Sequence, residues 1–177
     1  RGGGAVPERV VAITATDGGL LAGGSAGPEL GDRRARFWRS RDGAQWEALP
    51  DDDAFAGAEV VAIEPLDGGG YVAAGRLGTG QRGTGSVALV SDDGVTWEKR
   101  STIISSYSDV PSETELQFFG KHQEIAVALV RLDNQDILAD GQTAICTSHE
   151  PFVQWECGRR IEQRLDGPTW VVRRAHG

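Results

Sequence analysis

Ser40-Arg41-Asp42-Gly43-Ala44-Gln45-Trp46-Glu47 and Ser91-Asp92-Asp93-Gly94-Val95-Thr96-Trp97-Glu98 share the pattern S-x-D-G-x-x-W-E, with their tryptophans 51 residues apart. Working outward, Val10-Val11-Ala12-Ile13 matches Val60-Val61-Ala62-Ile63 at a spacing of 50, and Gly18-Gly19-Leu20-Leu21-Ala22 matches Gly69-Gly70-Tyr71-Val72-Ala73. Several separate features keep one period, which marks an internal repeat. A worn third copy, Ser148-His149-Glu150-Pro151-Phe152-Val153-Gln154-Trp155-Glu156, keeps the serine, an acid and Trp-Glu. Phe152 stands there where glycine is expected, and Trp155 follows Trp97 by 58 residues. The extra length falls in the polar stretch Ser101 to Glu115, which reads as an inserted loop.

Each unit carries four short apolar or alternating runs: about 9–15, 19–24, 34–40 and 46–49 in the first, and about 59–65, 70–75, 86–91 and 97–100 in the second. They are rich in Val, Ile, Leu, Trp and Ala and bounded by Gly, Asp or Pro, as strands are. Asp17-Gly18-Gly19 and Asp67-Gly68-Gly69 read as tight hairpin turns. No segment holds a 3.6-residue apolar period over three turns. Four antiparallel strands recurring every 50 to 58 residues predict an all-β chain of propeller blades. Blade 1 is expected over about 9–50, blade 2 over about 59–100 and blade 3 over about 115–158, with 159–177 as the start of a fourth blade or a closing strand.

S-x-D-G-x-x-W at a strand-to-strand turn resembles the Asp-box of sialidase-like, or BNR-repeat, β-propellers. The likeness covers about residues 9 to 158; the first two boxes are one residue shorter than the fuller form, and the third is degenerate at full length. The box residues are Ser40, Asp42, Gly43 and Trp46; Ser91, Asp93, Gly94 and Trp97; and Ser148, Glu150 and Trp155. Their expected work is structural. The aspartate accepts hydrogen bonds from backbone N–H groups two or three residues on. Glycine supplies a positive φ, and tryptophan folds back as an apolar lid. Asp42 and Asp93 as a catalytic or metal-binding pair is the competing reading, and one carboxylate per blade sets them too far apart. The resemblance implies glycosidases, carbohydrate binders, assembly factors and sorting receptors alike.

The chain has 177 residues with 25 glycines, no methionine, two cysteines and a net charge of −8. Glycine stands at about twice its average share, without low-complexity tracts. The acidic balance argues against nucleic acid and anionic membranes as partners, and no apolar run approaches the ~18 residues of a membrane span. The chain opens at Arg1 and lacks methionine, as expected of a processed or trimmed product. Closed propellers need about four to eight blades, so three leave the ring incomplete. The remainder is expected from the parent chain or from a second chain.

Cys146 and Cys157 flank the third box, and a hairpin there sets them opposite one another. A redox pair and a structural disulfide both fit, and the disulfide is the expectation carried forward. It implies an oxidising compartment, hence a secreted or extracytoplasmic protein, whose signal peptide would already be gone. His122, His149 and His176 fit no metal spacing. Gly78-Thr79-Gly80-Gln81-Arg82-Gly83 matches a dinucleotide fingerprint, but no helix follows it. A sialidase-like enzyme would need an arginine cluster, a Tyr–Glu nucleophile pair and an acid. Tyr107, near Glu113 and Glu115, is the one loop tyrosine to consider, and no catalytic residue is assigned.

Topology selects a face. The boxes mark one rim; the opposite rim carries the loops at about 24–34, 50–58, 76–86, 101–115 and 132–142. Their charged residues Arg33, Arg34, Asp51, Asp52, Asp53, Arg76, Arg82, Asp133 and Asp136 are the expected binding set. Asp51-Asp52-Asp53 is the one run that could take calcium; otherwise neither a metal nor a cofactor is expected. The leading expectation is a non-enzymatic exported module that binds or scaffolds a protein or glycan ligand through this rim. The alternatives are a portion of a sialidase-like glycoside hydrolase, and one part of a two-chain or cleaved propeller.

Overall fold

In the computed structural model the chain is all-β. Residues 6–28, 32–79, 82–105, 109–134 and 142–161 are described. Among the described residues twelve strands form three antiparallel sheets, each of four strands taken in chain order. The first holds β1 (Glu8–Thr16), β2 (Gly19–Ala26), β3 (Arg34–Ser40) and β4 (Glu47–Ala48). The second holds β5 (Ala58–Pro65), β6 (Tyr71–Thr79), β7 (Arg82–Ser91) and β8 (Glu98–Ser105). The third holds β9 (Asp109–Phe119), β10 (Ile125–Asn134), β11 (Gln142–His149) and β12 (Glu156–Ile161). These are consecutive blades of a partial propeller.

Two apolar layers join the sheets. Leu21, Phe37, Val60, Ile63, Val87, Leu89 and Trp97 fill the space between the first and second. Val72, Ala88, Leu116, Phe118, Val130, Leu132 and Phe152 fill that between the second and third. Alternation along each strand supplies the inward residues. Small residues set how closely the sheets approach: a Cβ on Gly23 would lie 2.5 Å from Val60 Cγ1 and 2.7 Å from Ile63 Cδ1.

The first strands of the sheets lie side by side, β1 against β5 and β5 against β9. Each is bulged near its start: the register slips between Val10 and Ala12 on β1, between Val60 and Ala62 on β5, and opposite Val130 and Leu132 on β9. A bulge bends the strand and re-aims its side chains. Here three repeated bulges bend the strands around one shared trough.

Strand ends depart from the sequence reading in two places. Ser101–Glu115, read as an inserted loop, is strand on both sides: β8 continues to Ser105 and β9 starts at Asp109. Arg76, Arg82 and Asp133, placed in loops, lie in β6, β7 and β10. Arg76 on β6 and Ser112–Glu115 on β9 line a common cavity, so these strand ends carry more polar residues than the strand pattern calls for. Arg159–Ile161 belongs to β12, and 162–177 lie outside the described residues. Among the described residues no helix is long and apolar enough to cross a membrane.

Candidate functional site

The β3–β4 and β7–β8 turns show what the repeated motif does. Asp42 Oδ1 accepts from the N–H of Ala44 and of Gln45 at 2.8 and 2.9 Å, and Asp93 Oδ1 from Val95 and Thr96 at 2.8 and 2.7 Å. Ser40 Oγ and Ser91 Oγ each donate to their aspartate and accept from Gly43 or Gly94. Both glycines sit at positive φ, +76° and +70°. The N–H groups of Gln45 and Ala44 hold Asp42 below its ordinary carboxylate range, and those of Thr96 and Val95 do the same for Asp93.

The worn third turn is one residue longer, has a cis Glu150–Pro151 bond and is held by other means. Phe152 takes φ +61°, the conformation glycine takes in the other two, and buries its ring edge-on against Phe118 at 5.5 Å. Phe152 N–H donates to His149 O, and Ser148 Oγ to Gln154 O. Cys146 and Cys157 face one another across β11 and β12 and are joined in a disulfide.

At the opposite rim the chain builds a buried ionic hub. Glu59, on β5, exposes 3% of its side chain. Its Oε1 accepts from Ser25 Oγ and Arg33 Nη1, both at 3.1 Å, and its Oε2 accepts from Arg76 Nη2 at 3.0 Å. Arg9 Nη1 stands 3.7 Å from Oε1, with 62% of its side chain exposed. Arg76 Nη1 reaches on to Ser112 O at 3.5 Å. One carboxylate thus ties all three sheets together, and three guanidiniums surround it, leaving two positive charges in excess.

Arg9, Glu59, Arg76 and Ser112 of the hub line the trough between β1, β5 and β9, a cavity of about 620 Å³. Val11, Ile13, Val61 and Ile63, together with Glu113, Glu115, Leu129 and Arg131, also line it. Arg131 is held by Asp133 at 2.9 Å and Glu113 at 3.4 Å. Burial raises Glu115 above its ordinary carboxyl value, against a lowering hydrogen bond from the Gln117 side chain.

Of the residues expected from sequence, Arg33 and Arg76 meet on Glu59. Asp133 joins Arg131. Arg34 pairs with Asp53 at 2.7 Å, and Arg36 with Asp51 at 3.3 Å. Asp52 instead caps the short 3₁₀ turn Asp53–Phe55, accepting from Ala54 N–H at 2.8 Å. The three aspartates therefore face three different tasks, and among the described residues no group of three or more His, Cys, Asp or Glu side chains converges on a cation. Asp136, Tyr107 and His176 lie outside the described residues, as does the side chain of Arg82. The sequence reading missed Glu59 and Arg9, although a signal was present. They hold the same place in the repeat, Arg9-Val10-Val11 against Glu59-Val60-Val61, with opposite charge.

No family model matches the chain, and no curated protein matches it. Among solved structures, an α-L-arabinanase of Penicillium chrysogenum, complexed with arabinobiose, is similar in fold. Its TM-score is 0.53 at 17% identity, over 89% of this chain and 48% of that chain. A protein of unknown function from Dyadobacter fermentans aligns at a TM-score of 0.38 and 12% identity, over 86% of this chain and 67% of that one. This chain spans about half the length of the arabinanase.

Proposed function

We propose that this chain is part of an exported propeller that binds a protein or glycan ligand at the rim away from the serine–aspartate turns. A carboxylate of the ligand would sit at the mouth of the trough. The observation that carries this reading is the Glu59 hub. Both carboxylate oxygens of Glu59 are occupied, so the residue acts as a fixed anchor for Arg33 and Arg76, leaving Arg9 presented to solvent with unspent donors. Guanidinium donors prearranged around an open position suit a planar anion. The Cys146–Cys157 disulfide supports an oxidising compartment. The rest of the ring comes from the parent chain or a second chain.

The test is a glycan and peptide array probed with the full chain and with Arg9→Ala. Carboxylated ligands should be retained by the wild type, and retention should fall about tenfold in the variant with an unchanged melting temperature. Retention that ignores Arg9, or no retention, contradicts this reading.

A second reading, glycoside hydrolysis, rests on Glu115 and Glu113. They lie two residues apart on β9 and line the same trough. Burial raises Glu115, as suits a general acid, and Arg131 stands 3.4 Å from Glu113 in the same lining. Turnover of a panel of aryl glycosides by the intact parent protein, abolished by Glu115→Gln, would favour this reading over binding alone.

A further inference from the structure

We infer that a second pocket, on the turn-bearing rim, binds a neutral saccharide with Trp46 as its platform. The three repeat tryptophans do different things. Trp97 is 5% exposed and stacks on Phe37 of the first sheet, with centroids 4.0 Å apart and planes 6° apart. Trp155 is partly buried and gives its ring N–H to Ser101 Oγ of the second sheet at 3.0 Å. Trp46 is 40% exposed, and its ring N–H donates to Gly43 O of its own turn at 3.0 Å. The motif therefore does not itself require an exposed ring. In the first repeat the indole is held in one orientation with much of its surface in water.

Trp46 lines a pocket of about 760 Å³ across the first sheet interface, together with Leu20, Leu21, Tyr71 and Val95. That volume falls in the range of small-ligand sites. The pocket's polar groups suit an uncharged ligand. Asp42 and Asp93 are taken up by backbone N–H groups, and Glu47 is held by Arg39 through two hydrogen bonds at 2.9 and 2.8 Å. Asp17 and Arg41, also in the lining, carry opposite signs. Four carboxylates against two guanidiniums in the lining disfavour an anion. A sugar gains in two ways: its C–H face lies against the negative face of the indole, and the solvent-facing Arg39–Glu47 pair offers donors and acceptors to its hydroxyls. The site is distinct from the trough and does not depend on it.

Affinity electrophoresis of the full chain through gels containing galactan, arabinan or mannan tests this, using wild type, Trp46→Ala and Trp46→Phe. The wild type should be retarded in at least one gel, Trp46→Ala should weaken that retardation at least about tenfold, and Trp46→Phe should keep part of it. A glycoprotein carrying neutral glycans, before and after enzymatic deglycosylation, separates a protein-borne glycan from a polysaccharide. Glycan-dependent binding in either arm that is lost in Trp46→Ala supports the site. Equal mobility of wild type and Trp46→Ala in every gel, with no glycan-dependent binding to the glycoprotein, overturns it. So does retention by polylysine or alginate alone. So too does a Trp46→Ala chain that changes its sedimentation but not its retardation, which would make the indole a seat for another chain.

Discussion

At the scale of single residues, Glu59 and Arg9 mark the two extremes of one cluster. Replacing Glu59 leaves Arg33 and Arg76 turned inward without their counter-charge, so Glu59→Gln should cost about 3–5 kcal/mol. Arg9 keeps most of its side chain in water, and Arg9→Ala should cost no more than about 1 kcal/mol. Urea unfolding of both variants measures the contrast; equal costs would mean that the hub is not anchored on Glu59. A second residue-scale prediction concerns acid. Asp42 and Asp93 titrate below their ordinary value of 3.8 when folded. They therefore add stability above the unfolded pKa and lose it as pH falls through the folded one. Glu115 acts oppositely: burial raises it, so its contribution falls as pH rises above its ordinary 4.5. Stability should drop below about pH 4, and the double variant Asp42→Asn, Asp93→Asn should flatten that limb of the urea midpoint against pH. An unchanged limb would assign it to other carboxylates.

At the scale of elements, the inter-sheet layers carry the fold. Trp97 closes the first of them against Phe37, so Trp97→Ala should destabilise by about 3–5 kcal/mol. Trp46→Ala, at the same place in the preceding repeat, should cost below about 1 kcal/mol. Thermal melts of the two distinguish a packed lid from a surface ring. The turns and the order of strands were legible because they rest on local chemistry: an aspartate that caps N–H groups, a glycine at positive φ and a fixed period. Strand limits were less legible where one face is wet. Ser112-Glu113-Thr114-Glu115 reads as loop by its polarity, yet Thr114 is buried while Glu113 and Glu115 look into the trough. Arg33 and Arg76 were legible as rim residues. Their meeting on Glu59 was not, because it depends on how the first and second sheets are laid together, and no local pattern states that. Phe152 at a glycine's φ is a similar case, since a tertiary pocket for its ring offsets the backbone cost.

At the scale of the whole molecule, β1 is an edge strand of the first sheet, with no second strand paired to it among the described residues. Val10, Val11 and Ile13 on β1 are exposed, an apolar surface of the kind that seeks a partner. Sedimentation of the isolated chain should therefore show association that rises with concentration, and Val10→Lys with Ile13→Lys should reduce it. A monomer at every concentration would deny that this surface recruits anything. Under the proposed function, ligand enters the trough at the rim away from the turns. Hydrogen exchange of the full chain, with and without a carboxylated ligand found on the array, tests it most directly. Protection is predicted along the starts of the three first strands, at about 8–12, 58–62 and 110–114, with exchange unchanged at the turns 40–47 and 91–98. Protection confined to those turns, or none at the first strands, would contradict it.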